Sequence, residues 1–301
     1  MPLTYLITGA TGLIGSHLIR QILNRGENYI VLSSDKDSAG RKLTRYSKLL
    51  SYPEIHDLIN DKIDVIINLA GYNIGEGRWT AKRKKLIYDS RIKTTASIIE
   101  LISVMKEKPQ LLISASGVDY YISSDSKVTE DSPNADTFLG KVCRDWENEA
   151  LKAEGFGVRT VIMRTGFVIA RNSKALKRLI TPYKLFLGGT IGSGNQYFSW
   201  IHIDDLIRLY FFVSEMPQIT GPVNAVSPSA VTMRKLSATI GEILSRPSFM
   251  RIPGFIIKTA MGESSQLILS SRNVEPAKAV QNGFRFKYEN IYDALSESLR
   301  T

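Results

Sequence analysis

The 301-residue chain reads as an α/β protein, a doubly wound parallel sheet with a smaller, interleaved C-terminal α/β lobe. Three observations predict this. Near-continuous apolar runs recur at residues 5–8, 29–32, 65–69, 111–114 and 158–163, as strands covered on both faces require. Stretches of helical periodicity alternate with them, which is the βαβ pattern. Beyond Val168 the alternation weakens, and the glycine-rich segment 187–194 predicts loops and the start of a second lobe.

In chain order, Tyr5-Leu6-Ile7-Thr8 is a β-type run that ends in a glycine turn. Leu13, Ile14, His17, Leu18, Gln21 and Ile22 then fall at helical spacing, and Arg25-Gly26 stops that helix before Tyr29-Ile30-Val31-Leu32. These form one βαβ unit with a right-handed crossover. Helices are expected at 80–105 and 138–154, between the later strands. A helix at 204–213, a strand at 223–226 and helices at 232–244 and 290–299 follow. The expected partition is a dinucleotide-binding domain at 1–166, to which 200–228 returns, and a substrate lobe made of 167–199 and 229–301.

Composition removes several classes. With 43% apolar and 23% charged residues the chain can bury a large core, so disorder is not expected. Its longest apolar runs, 65–70 and 209–213, fall far short of the ~20 residues that cross a bilayer. No apolar leader opens the sequence, so the expected location is the cytoplasm, with no membrane partner. Cys143 and the scattered His17, His56 and His202 have no metal-ligand spacing, and no metal is expected. The net charge of +10 favours anionic ligands. The basic run Lys82-Arg83-Lys84-Lys85 reads as a solvated helix face rather than a nucleic-acid patch.

Gly9-Ala10-Thr11-Gly12-Leu13-Ile14-Gly15 places three glycines, each three residues apart, between a strand and a helix. Gly9 and Gly12 suit a tight turn and close approach to a pyrophosphate, while Gly15 suits close packing of helix on strand. Main-chain amides and the positive end of the helix then face an anion. Thr11, Leu13 and Ile14 share that cradle. The acidic residue that usually holds a ribose 2′-hydroxyl at the end of the second strand is replaced by Ser33-Ser34. With Lys36 or Arg41 close by to neutralise a phosphate, NADP(H) is preferred; Asp35 is the competing acidic candidate, and NAD(H) stays open.

With these residues, the chain resembles the extended and atypical short-chain dehydrogenases/reductases, and within them the epimerase-family proteins that carry a C-terminal domain of unknown function. The likeness includes Asn68-Leu69-Ala70-Gly71, Arg78-Trp79-Thr80, Ser90-Arg91, Arg164-Thr165-Gly166 and the long segment GGTIGSGNQYFSWIHIDDL. It implies a Rossmann-like domain that binds NAD(P), a lobe that closes over substrate, and cofactor contacts from Leu69, Ala70 and Gly71. Arg164 and Arg91 read equally well as contacts to a cofactor or substrate anion and as buried ion-pair partners. Catalytic members of that superfamily pair a serine with Tyr-x-x-x-Lys on the following helix. Ser116 matches the serine, but Phe138 and Val142 stand at the tyrosine and lysine positions. None of the 13 tyrosines is followed four residues later by lysine. Asp119 stands where the family pattern has glycine.

The expected catalytic residues are therefore Ser116, Tyr120 and Tyr121, one of the tyrosines acting as acid and base. Gln196 and Trp200 are expected in the substrate cleft. The acids of Ser199-Trp200-Ile201-His202-Ile203-Asp204-Asp205 read as structural, with Asp204 capping a helix. The function expected is an NADP(H)-binding epimerase or reductase acting on a small polar or nucleotide-linked carbonyl or hydroxyl compound. The alternative is a non-catalytic, NADP(H)-responsive binding or regulatory protein. Monomer and homodimer remain equally open.

Overall fold

The computed structural model describes residues 2–171 and 173–299. Its first half runs β1 (Thr4–Thr8), α1 (Leu13–Asn24), β2 (Asn28–Ser33), α2 (Lys36–Lys42), β3 (Lys48–Ser51), β4 (Val65–Asn68), α3 (Ala81–Val104), β5 (Leu111–Gly117), β6 (Ser124–Val128), α4 (Phe138–Leu151) and β7 (Arg159–Thr165). The second half continues with β8 (Phe167–Ile169), α5 (Lys174–Lys184), β9 (Gly189–Ile191), β10 (Tyr197–Phe198), β11 (Trp200–His202), α6 (Ile203–Glu215), β12 (Gly221–Ala225), β13 (Val231–Thr232) and α7 (Met233–Leu244). It ends with β14 (Met250–Ile252), α8 (Gly254–Met261), α9 (Gln266–Leu269), β15 (Arg272–Val274), α10 (Ala277–Gln281) and α11 (Ile291–Leu299).

Seven parallel strands form the main sheet in the order β12-β7-β5-β4-β1-β2-β3. Their inner residues are buried on both faces. Tyr5, Ile7, Val31, Ile67, Ile113 and Val161 pack towards α1 and α6, while Leu6, Ile30, Ile66, Leu112 and Ile162 pack towards α3. This two-sided burial is why the strands carry unbroken apolar runs. The chain reverses its direction of growth across the sheet between β1 and β4, the place where open α/β sheets form their ligand crevice.

The smaller lobe has its own core, in which Leu176, Ile180 and Tyr183 of α5 meet Met233, Leu236 and Ile240 of α7 and Ile291 and Leu295 of α11. The tail is shared between the two cores, because Ala279 and Phe284 pack into the main one. Segment 187–194, expected as loop, contains β9, which pairs in parallel with β14 about 60 residues later. Gly189 permits that pairing, since a Cβ there would lie 2.0 Å from the Met250 carbonyl oxygen. Among the described residues no helix is long and apolar enough to cross a membrane.

Candidate functional site

The glycine turn closes on the sheet at the reversal point. Gly9 has φ +66°, and a Cβ there would stand 2.7 Å from the Leu69 carbonyl oxygen just beyond β4. A Cβ on Gly15 would lie 2.5 Å from the Gly9 carbonyl oxygen, so helix and strand end meet main chain to main chain. Thr8 ties the same corner, its hydroxyl accepting from the amides of Leu69 and Ala70 at 3.1 Å. The N-cap of α1 is Gly12, which offers no side-chain cap, and the first turn carries no acid. The uncapped amides of this helix suit an anion, and the donor set fits the diphosphate of a dinucleotide.

Beside β2, the Ser33 hydroxyl accepts from the Asp35 amide, and the Asp35 carboxylate caps α2 by accepting from the Ser38 amide at 2.9 Å. Ser34 is exposed. Lys36 lies at the same edge but pairs with Glu54 at 2.9 Å. Across the crevice, the Arg91 guanidinium rests against Gly71, where a Cβ would come within 2.9 Å of Cζ. It donates to the carbonyls of Tyr72 and Ile87 and meets no carboxylate within ion-pair distance among the described residues. Burial lowers its pKa to about 10.

At the end of β5 the polar residues converge. Ser116 donates to Glu147 Oε1 at 2.6 Å, and Arg164 clasps the same carboxylate with Nε at 3.0 Å and Nη2 at 2.7 Å. Both partners of this ion pair are buried, at 4% and 6% side-chain exposure. Arg164 Nη1 also donates to the Tyr121 hydroxyl and the Glu130 carbonyl, both at 2.9 Å. Tyr121, fully buried, donates in turn to Asn224 Oδ1 at 2.6 Å, and burial pushes its pKa up to about 12. The Arg164 guanidinium lies 3.5 Å from the centre of the Tyr120 ring.

These placements revise the sequence expectations. Of its two expected roles Arg164 takes that of buried ion-pair partner rather than cofactor contact, being committed to Glu147, Tyr121 and the Glu130 carbonyl. Tyr121, expected to move a proton, is held on both sides of its oxygen. Tyr120 stays half-buried, stacked on Arg164. Gln196 braces its own loop, donating to the Ile191 carbonyl at 2.9 Å and accepting from Ser193. Trp200 has no exposed surface, and its indole donates to the Ser229 carbonyl. Alternation along β11 turns that ring into the lobe core rather than the cleft. The helix cap is His202, whose Nδ1 accepts from the Asp204 amide; Asp204 sits in the first turn.

Sequence reasoning missed Glu147, the hub of this network. Its signal was a carboxylate one turn after Cys143 on the buried face of α4. Phe138 and Val142, at the positions of the missing pair, pack with Trp79, Ile87 and Leu139. Leu267 joins them from the C-terminal segment. That segment also clasps the loop after β4 and the first turn of α3. Thr259 accepts from Arg78, Glu263 pairs with Lys84, and Ser264 donates to the Gly77 carbonyl at 3.4 Å.

Residues 5–225 match the model of the NAD dependent epimerase/dehydratase family, and residues 252–298 match a domain of unknown function, DUF1731. The chain belongs to the NAD-dependent epimerase/dehydratase family. Epimerase family protein YfhF of Bacillus subtilis is 39% identical, over 97% of this chain and 96% of that one. A chloroplastic family member from Arabidopsis thaliana is 35% identical, over 97% and 86%. Among solved structures, a human epimerase family protein crystallised with NADPH superposes with a TM-score of 0.89 at 29% identity, over 98% of both chains. A UDP-glucuronic acid 4-epimerase from Bacillus cereus shares the fold, with a TM-score of 0.78 at 18% identity over 97% and 96%.

Proposed function

We propose that this family member binds NADP(H) and interconverts a hydroxyl and a carbonyl on a small polar or nucleotide-linked substrate. The observation that carries this reading is the uncapped, acid-free N-terminus of α1, set against Leu69 where the sheet reverses. Gly9, Thr11, Gly12, Leu13, Ile14 and Gly15 would hold the diphosphate, and Leu69, Ala70 and Gly71 would flank it. Ser33, Ser34 and Lys36 would meet the adenosine ribose. The Asp35 carboxylate is occupied in capping α2, which leaves room for a 2′-phosphate and favours NADP(H). The NADPH in the human relative's crystal supports the same choice. Bound there, the nicotinamide supplies hydride chemistry. Arg91, a half-buried cation with no carboxylate within ion-pair distance among the described residues, would meet an anionic group of cofactor or substrate.

Ser116 would polarise the substrate oxygen by turning its single proton from Glu147 to that oxygen when substrate binds. Nucleotide-sugar substrates, named for the Bacillus cereus structural neighbour, define the first compounds to try. The test is calorimetry with NADPH and NADH, followed by single-turnover absorbance of the bound reduced cofactor across ketones, aldehydes and sugar nucleotides. Tight binding with no oxidation by any compound would replace this reading with the second, a non-catalytic NADP(H)-responsive protein. What favours that second reading is the apolar packing of Phe138 and Val142, together with the committed hydroxyl of Tyr121.

A further inference from the structure

Nearly every polar group at the end of β5 is spent on another. Ser116, Glu147, Arg164, Tyr121 and Asn224 form one continuous chain of hydrogen bonds. Asp119 is the exception. It lies two residues beyond the end of β5, its side chain one fifth exposed, and its carboxyl accepts no hydrogen bond among the described residues. The cation facing it is Arg272 of β15, with Nη2 at 3.8 Å, an ion-pair distance too long for a hydrogen bond. Arg272 is itself unfinished. Its side chain is 8% exposed, Nη1 donates to the Ser271 carbonyl, and the buried Nε has no partner among the described residues.

A buried donor and a carboxyl left open opposite each other carry a free-energy cost that a ligand relieves. A hydroxyl completes the pair, because its O–H can donate to Asp119 while its oxygen accepts from Arg272. A carbonyl oxygen does the same when Asp119 carries the proton.

We propose that Asp119 is the proton-exchanging residue of this cleft, and that Asp119 and Arg272 together receive the reacting oxygen of a polyol-type substrate. The assignment rests on the functional reading above and gives the C-terminal segment a task, since Arg272 belongs to it. In the oxidative direction the substrate O–H bond breaks and its proton passes to the Asp119 carboxylate. The electron pair of that bond becomes the second C=O bond as hydride leaves the same carbon, which is the chemistry a bound nicotinamide supplies. The reverse reaction returns the proton from Asp119 to the oxygen, and Arg272 stabilises the developing negative charge in both directions.

The charged and titratable groups around Asp119 suit this task. Burial pushes its carboxyl above the usual carboxylate range, and Arg272 opposes that shift. Cys143 of α4 is pushed up to about 12 by burial and by the neighbouring Asp119 and Glu147, so it remains a neutral thiol. A carboxyl held above the usual carboxylate range is better matched to exchanging protons than an ordinary one.

The experiment uses the holoprotein with Asp119→Asn and Asp119→Gly, the second restoring the residue of the family pattern. Single-turnover oxidation of bound NADPH by the carbonyl panel should fall about 100-fold or more in both variants. NADPH affinity should stay within about threefold, and the acid-base limb of the pH profile should disappear. A second readout needs no substrate. A carboxyl with a raised folded-state pKa contributes stability below its unfolded pKa and loses it as pH rises through the folded value. Asp119→Asn should therefore melt above the native protein near about pH 8, with the gap closing towards about pH 4.

Turnover within about threefold of native in Asp119→Asn overturns the proposal. A lower melting temperature for that variant near about pH 8 also overturns it, because Asp119 would then be only the structural counter-ion of Arg272. If the native protein oxidises NADPH with nothing in the panel, the functional reading fails. The proton-exchange assignment falls with it, and the melting comparison then reports only whether Asp119 is a stabilising counter-ion of Arg272.

Discussion

Glu147→Gln isolates the electrostatic centre of the cleft without opening a cavity, because the two side chains are nearly isosteric. Glu147 and Arg164 are both almost fully buried and joined by two short charge-assisted bonds, and Ser116 leans on the same carboxylate. Removing one charge from such a pair strands the other in a medium that solvates it poorly, at a cost of about 3–5 kcal/mol. An unfolding entropy of about 2.1 cal/mol/K per residue gives about 0.6 kcal/mol/K for a chain of this length. The melting temperature should therefore fall by about 5–8 °C. Scanning calorimetry reads this directly, with circular dichroism confirming that the variant is folded. Arg164→Met placed on top should recover a large part of the loss, since it removes the stranded cation. A Glu147→Gln protein melting within about 1 °C of native would refute the claim that this pair organises the cleft.

Gly9→Ala adds a methyl against the Leu69 carbonyl at a positive φ, so NADPH affinity measured by calorimetry should drop about tenfold or more. Unchanged binding would dissociate the turn from the cofactor. Tyr121→Phe leaves Arg164 and Asn224 short of a buried partner and should cost about 1–3 kcal/mol in urea unfolding, while Tyr120→Phe should cost almost nothing. Equal effects of the two would contradict the network described here. The Cys143 thiol, buried with its pKa at about 12, should resist Ellman's reagent at about pH 8 until the chain unfolds. Stoichiometric labelling of the native protein would show that this pocket opens to solvent.

The Rossmann-like sheet was legible because strands buried on both faces must be apolar throughout, as Val65-Ile66-Ile67 and Leu111-Leu112-Ile113 are. The glycine turn was legible because close backbone contact at Gly9 and Gly15 tolerates no side chain. Elements held together by distant pairing were not. β3 is four residues at the sheet edge, beginning with lysine, and β9 is three residues whose partner β14 lies far along the chain. The cap of α6 was misplaced because Asp204 is the commoner capping type, whereas His202 Nδ1 makes the bond. The polar residues at the end of β5 were individually visible, but their commitments were not. Arg164 and Glu147 come from a strand and a helix, and no periodicity relates them. Trp200 shows the same limit, since an aromatic beside a glycine loop reads equally well as a cleft wall or a core anchor.

The clasp between the C-terminal segment and the loop after β4 bears on the order in which the protein matures. β12 adds the outermost strand beside β7, and Arg272 reaches Asp119 only from residues synthesised later still. A nascent chain can thus build its glycine turn early while the opposite wall does not yet exist. Any coenzyme captured at that stage would sit beside an unfinished wall, which is completed only once Arg272 has emerged and met Asp119.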